Sequence, residues 1–420
     1  MRKFMELAKG VHYYFTPSNK YKTNQIKFRF SSKLDQKRIP NRVLVASMLS
    51  LANQAYPTSQ AFREHLANLY GAEFTTHISR RGKVHYLDIN ISFVRDAFLS
   101  KKNVLVEEIL TLLRISLISP LAEDGHFDEQ SFQIEKKNIL FDLKGQEEDS
   151  YYLAHQKLNR LFYEDESLSI PRLGTDSLIE TVNATSAYEE LQRMLVEDQI
   201  DVFFIGDFQT MQVEEHLAKF KFKDRDCPLE FEYQQEFTNV VRDHFEKKDV
   251  NQSILELGYH VPVRYGSKEH LALIVLNGLL GAYANSKLFV NVREKEGLAY
   301  TVSSTIDVYT GYLRMYAGID KGNRMRAFTL MNRQLTDLKK GKFSEKELFD
   351  VKQMVKNSKL LSLDQQESLI EASYLQTVFK SRYVNEGEWF ENLENLTKGD
   401  VVNLAKEVRL QALFFLEGNQ

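Results

Sequence analysis

A chain of 420 residues, 43% hydrophobic and 27% charged, carries enough apolar material for about two to four compact cores and too little bias for a disordered or fibrous protein. Its formal net charge of -3 gives no concentrated cationic surface for phosphates, which excludes nucleic acid as an expected partner. One cysteine, Cys227, permits no internal disulfide and has no zinc-ligand companion at motif spacing, so a reducing compartment is expected.

The amino-terminal MRKFMELAKGVHYYF has no unbroken apolar stretch and no small-residue cleavage site. The most apolar run, Leu271 to Ala284, is shorter than the roughly 20 residues that span a bilayer, so a cytoplasmic protein with no membrane partner is expected. TNQIKFRFSS from Thr23 reads as a strand, VLVASMLSLANQAY from Val43 as a buried helix, and YGAEFTTHIS around Gly71 as a strand. HYLDINISF and FKFKDR have the alternation of half-solvated antiparallel strands, FDEQSFQIEKKNIL from Phe127 that of a helix. IDVFFIGDF near Phe203 closes the series.

The same order then returns. VNQSILELGYH from Val250, LALIVLNGLLGAYA from Leu271, EGLAYTVSST around Gly297, FSEKELFDVKQMVK from Phe343 and QALFFLEGN near Phe414 follow one another as the first set did. The copies stand about 227 residues apart early and about 211 late, which an insertion of roughly 15 residues in the first copy explains. GYLRMYAGI reads as a further strand, and Ser344 before a charged first turn, with Leu348, Val351, Val355 and Leu360, predicts a capped amphipathic helix. The expected organisation is a half over 1–222, a polar linker over 223–248 and a second half over 249–420, each an α+β unit with a mostly antiparallel sheet packed with helices. No GxGxxG or GxxxxGK[ST] occurs, so nucleotide binding has no motif.

LLGAYANSKLFVNVREKEGLAYTVSS reads as a buried helix, a small-residue turn, a charged helix and a strand begun by Gly297. Taken alone, Arg293 is a surface cation and Tyr300 a core strand residue. Leu280, Gly281, Ser286, Leu288, Phe289, Arg293, Glu294, Lys295, Gly297, Leu298, Ala299 and Tyr300 together closely resemble the carboxyl-terminal half of the M16 metallopeptidases, the insulinase, pitrilysin and mitochondrial processing peptidase family. The duplication and element order match too, so the resemblance covers essentially the whole chain. It implies a clamshell of two homologous halves around a peptide chamber, with zinc held in the first half by HxxEH and a downstream glutamate. It further implies that Arg293 holds a substrate carbonyl, that the Tyr300 hydroxyl donates to the oxygen that becomes negative, and that the peptide adds as a strand to the first half's sheet edge.

The sequence departs from that pattern at the metal. Counting back from GAEFTTHISRRGKVHYL places HxxEH on Val45, Ala46, Ser47, Met48 and Leu49, so its three chemical positions are apolar. A shift of one or two residues supplies no ligand, because no histidine lies between His12 and His65. AFREH (Ala61 to His65) and QVEEH (Gln212 to His216) each lack the first histidine, and no HExxH or HxxxH occurs. Glu135 aligns with the downstream glutamate and reads as a solvated helix residue; His77, His260 and His270 read as core or rim residues, and no GxSxG accompanies Cys227.

The expectation is no metal, no cofactor and no catalysis by the chain alone. Three functions remain. The first is a peptide-binding subunit, through Arg293 and Tyr300, of a two-component zinc peptidase whose partner is an HxxEH-bearing homologue, or the chain's own second copy in a homodimer. The second is a structural or peptide-binding protein without a peptidase role. The third is an independent enzyme with an unrecognised site.

Overall fold

A computed structural model describes residues 3–99 and 105–419, which fall into two units of contact. The first gathers the described residues up to Lys144 with Pro171–Glu230 and Leu369–Tyr374; the second gathers Gly145–Ile170, Phe231–Ser368 and the described residues from Leu375 on. Neither unit is continuous in sequence.

The first unit is built on β1 (Lys3–Ala8), β2 (Val11–Pro17), β3 (Thr23–Lys33), β4 (Glu73–Arg81) and β5 (Val84–Val94). A small separate hairpin of β6 (Ala122–Glu123) and β7 (His126–Phe127) precedes the last strand, β8 (Gln199–Gly206). The sheet order is β1-β2-β8-β3-β5-β4, with β2 and β8 parallel and the other neighbours antiparallel. The second unit holds β9 (Arg242–Lys247), β10 (Ser253–His260), β11 (Ala299–Asp307), β12 (Tyr312–Ile319) and β13 (Arg409–Glu417) in the order β11-β12-β10-β13-β9. Only its β13–β9 pair is parallel among the described strands. Strand for strand, the second sheet repeats the first without β1.

This repetition sharpens the sequence match in two places. β9 occupies the place of β2 but lies within 223–248, so that segment divides between the units and carries a ladder strand. Matching β5 to β12 and β8 to β13 sets Ile26, Phe28 and Phe30 beside Leu255, Leu257 and Tyr259, two residues later than the match from Val250. All six are at most 1% exposed, and burial of each such side chain stabilises its unit by about 1.5–3 kcal/mol.

Two strand expectations need correction. HYLDINISF lies within β5, yet both its faces are largely buried, because the alternate face carries the packed polar residues Tyr86 and Asp88 instead of meeting water. FKFKDR forms no strand: its Arg225 N–H donates to the Lys9 carbonyl, and the Arg225 side chain turns to the carbonyls of Lys223, Leu195 and Asp198.

The helices follow their local signals. Ile39–Leu51 starts with Pro40 in its first turn, where a missing N–H costs no hydrogen bond. Glu345–Ser362 has the expected capping box between Ser344 and Glu347. The helix Ser150–Phe162 packs on β10 and β13 of the second unit, whereas residues 369–374 of the helix Gln366–Phe379 belong to the first. Each sheet is therefore covered in part by a helix from the other half of the sequence. No described helix is long and apolar enough to cross a membrane.

Candidate functional site

The second unit presents the Arg293 and Tyr300 motif as a corner. The helix Lys268–Asn277 continues into a π-helical turn, Gly278–Ala282, and a second π-helical segment, Phe289–Lys295, leads to β11. Gly281 is required by contact: a Cβ there would stand 2.7 Å from the Ser304 backbone nitrogen. Gly297 has φ +59°, a left-handed turn that only glycine adopts without strain, and it turns the chain into β11.

Arg293, with 44% of its side chain exposed, lies with its guanidinium 4.7 Å above the Phe289 ring and its Nε 3.6 Å from Glu294 Oε1. Tyr300 is not a core residue. Ala299 pairs with Ile319 and Thr301 with Gly318, so Tyr300 is the extra residue of a β-bulge on an edge strand, and it is 64% exposed. A bulge re-aims a side chain away from the regular alternation. The Tyr300 hydroxyl makes no hydrogen bond among the described residues, although aromatic residues elsewhere in this unit are mostly packed. The family resemblance singled out both residues; the bulge that exposes Tyr300 left no trace in composition.

In the first unit, Val45, Met48 and Leu49 of the Ile39–Leu51 helix are 0%, 1% and 0% exposed and form core. Glu135, on the helix Glu129–Glu148, is partly buried instead of solvated, and its carboxylate accepts a hydrogen bond from the Ser47 hydroxyl. The Ala46 carbonyl next to it accepts from Thr76 Oγ1 on β4 at 2.9 Å. Ser47 therefore faces the glutamate, and a register two residues earlier, with Val43, Ala46 and Ser47 in the chemical positions, fits this geometry better. Neither register fits a zinc ion, because valine, alanine and leucine offer no ligand atom, the methionine thioether is outside zinc's usual ligand set, and serine with one glutamate leaves the coordination incomplete. No cluster of three His, Cys, Asp or Glu side chains exists among the described residues.

The remaining candidates are structural. His65 stacks on Tyr56 at 4.0 Å, His216 is buried, and His77 lies exposed on β4. His260 is buried against the Gln235 carbonyl at 3.0 Å, and burial lowers its pKa. Burial pushes His270 down to about 4. Cys227 is half-buried with Sγ 3.8 Å from the Ser31 carbonyl oxygen, and burial pushes its thiol up, away from reactivity.

Sequence reasoning missed the charged clusters on the inner strands. In the first unit Arg29 donates to Asp88 twice at 2.8 Å and to Glu371 at 2.5 Å, while Arg81 reaches Glu371 at 2.8 Å. Burial alone would raise the Glu371 carboxyl, but the Arg29 and Arg81 charges outweigh it and hold the pKa near about 2. In the second unit Arg314 pairs with the fully buried Glu256. Alternating charges inside FRF and LRM were the available signal.

Residues 181–355 match the family model described as the peptidase M16 inactive domain. The chain is 26% identical to the probable inactive metalloprotease YmfF of Bacillus subtilis (strain 168), over 98% of this chain and 96% of that protein. The uncharacterized zinc protease YmxG of the same bacterium is 29% identical over 58% of this chain and 59% of its own. Among solved structures, a conserved protein from Enterococcus faecalis V583 superposes with a TM-score of 0.96 at 32% identity, covering 100% of this chain and 99% of that one. With its two matching sheets, its Arg293–Tyr300 corner and its apolar ligand helix, the chain belongs to the M16 peptidase family as a non-catalytic homologue that lacks HxxEH.

Proposed function

We propose that this chain grips peptide as the non-catalytic subunit of a two-component zinc peptidase, its partner being a homologue that keeps HxxEH. Arg293 holds a peptide carbonyl, and Tyr300 donates its hydroxyl to the oxygen that gains charge during hydrolysis, while the partner supplies metal and water. The observation that carries this reading is Tyr300, exposed on a bulged edge strand with an unused hydroxyl, in a chain whose ligand helix is core. Bacillus subtilis carries relatives named as a probable inactive metalloprotease and as an uncharacterized zinc protease, which supports a division of labour between two chains. A homodimer remains the other assembly in which the corner serves.

The test mixes the purified chain with the HxxEH-bearing homologue of its source and follows cleavage of a peptide library. Cleavage confined to the mixture, and weakened by Arg293→Ala or Tyr300→Phe, supports the proposal. The contacts of Arg293 with Phe289 and Glu294 favour a second reading, in which the motif only shapes the corner. Equal cleavage with both residues changed selects that reading.

A further inference from the structure

The second unit contains a cavity of about 260 Å³ between the start of the helix Ser150–Phe162 and the strands β11 and β12. Asp149, Tyr151, His155, Thr301, Arg314 and Tyr316 line it. Thr301 follows Tyr300 directly, so the cavity and the corner share the strand β11. Arg314 forms its wall: the guanidinium lies 4.2 Å over the Tyr316 ring, Nε donates to Glu256 Oε2 at 2.6 Å and Nη2 to Oε1. Its Nη1 has no partner among the described residues.

The other half of the chain shows what such an arginine accepts. Arg29 likewise binds one strand carboxylate through Nε and Nη2, that of Asp88, but a second carboxylate, Glu371, closes on it from the covering helix. Glu371 is the sixth residue of the helix Gln366–Phe379. The sixth residue of Ser150–Phe162 is His155. No acidic side chain of that helix reaches Arg314, and the space is open. Asp149, the acidic residue at the rim, is occupied in capping: its Oδ1 accepts from the backbone N–H groups of Tyr151 and Tyr152. The volume suits one amino-acid side chain or chain end, and the guanidinium keeps donor hydrogens for an acceptor, since Arg29 Nη2 serves two carboxylates at once.

We propose that this cavity recognises a carboxylate of the bound peptide, either an acidic side chain or the terminal group, which accepts from Arg314 as Glu371 accepts from Arg29 in the first unit. The proposal rests on the peptide-gripping reading for its ligand. A charge-assisted pair of this kind discriminates against its neutral amide by roughly tenfold or more.

The experiment measures binding to the whole chain of two matched peptide pairs, one differing as Glu against Gln and one as carboxyl-terminal acid against amide, together with N-acetyl-glutamate α-amide. A carboxylate preference of about tenfold in either pair is expected, and the pair that shows it identifies the source. His155→Glu, which rebuilds the self-filled arrangement of the first unit without removing the partner of buried Glu256, is expected to erase that preference. Peptides that bind with no preference, or a preference that survives His155→Glu, overturn the pocket and leave the grip standing. Binding of N-acetyl-glutamate α-amide that His155→Glu abolishes, with no peptide bound, keeps the pocket and overturns the grip. No binding of any probe overturns both.

Discussion

The hydroxyl of Ser47 donates to the carboxylate of Glu135, joining the Ile39–Leu51 helix to the Glu129–Glu148 helix. This contact predicts which substitutions can rebuild a metal site. Val43→His, Ala46→Glu and Ser47→His together should bind one zinc per chain with Glu135, measured by metal analysis after dialysis. Val45→His, Met48→Glu and Leu49→His should instead destabilise, because each buries an unpaired polar group at about 1–3 kcal/mol. Zinc held by the second triple variant and not by the first would return the register to Val45.

Glu371 predicts an acid limit. Its folded pKa of about 2 lies below the ordinary 4.5, so its stabilisation is complete above about pH 4.5 and is lost as pH falls through 4.5 toward 2. The magnitude is on the order of 3 kcal/mol, at 1.36 kcal/mol per pKa unit. Glu371→Gln should lower the urea midpoint at pH 7 and flatten its decline in that window. An unchanged midpoint at pH 7 would refute the role of this carboxylate.

His270 acts at milder pH. Its Nδ1 accepts from the Gly266 N–H at 3.3 Å, and burial holds its pKa near about 4 against 6.5 unfolded. The unfolded chain therefore takes up the proton first, and stability falls as pH drops from 6.5 toward 4 by up to about 1.4 kcal/mol per unit. His270→Phe should remove this slope between pH 6.5 and 5, followed by denaturant titration at both values.

Tyr300→Phe should leave the melting behaviour unchanged within about 0.5 kcal/mol, since the hydroxyl has no partner among the described residues. In the mixed peptidase the same change should lower turnover by roughly 10²–10³-fold, as loss of one oxyanion donor does. A variant that melts early would instead assign Tyr300 to the fold.

The shared segments make the two units mutually dependent. A fragment ending at Glu230 lacks Leu369–Tyr374, and a fragment starting at Phe231 lacks Gly145–Ile170. Each alone should be poorly folded by circular dichroism, and co-expressed they should copurify. Independently folded fragments would contradict this dependence.

The duplication and the chain order of elements were legible because they rest on apolar periodicity, and the corner was legible through its family resemblance, with glycines that have steric duties at Gly281 and Gly297. Less was legible where tertiary contact decides. β9 hides in a polar segment because it is an edge strand whose residues are mostly exposed. FKFKDR alternates like a strand but finds no ladder. Glu135 looked solvated because its partner, Ser47, lies 88 residues away. The helices that cover each other's sheets cannot be read from order along the chain at all.

The matched strands carry opposite charges. Lys27, 3.4 Å from Asp88 on the first sheet, corresponds to Glu256 beside Arg314 on the second, and Arg29 corresponds to Gly258. A helix bearing Glu371 that settled on the wrong sheet would meet Glu256, a like charge, with its one arginine already paired to it, in place of the two cations Lys27 and Arg29 around Asp88. The charge pattern thus opposes an exchange of covers between two sequence-related surfaces, the hazard that a gene with twin halves carries.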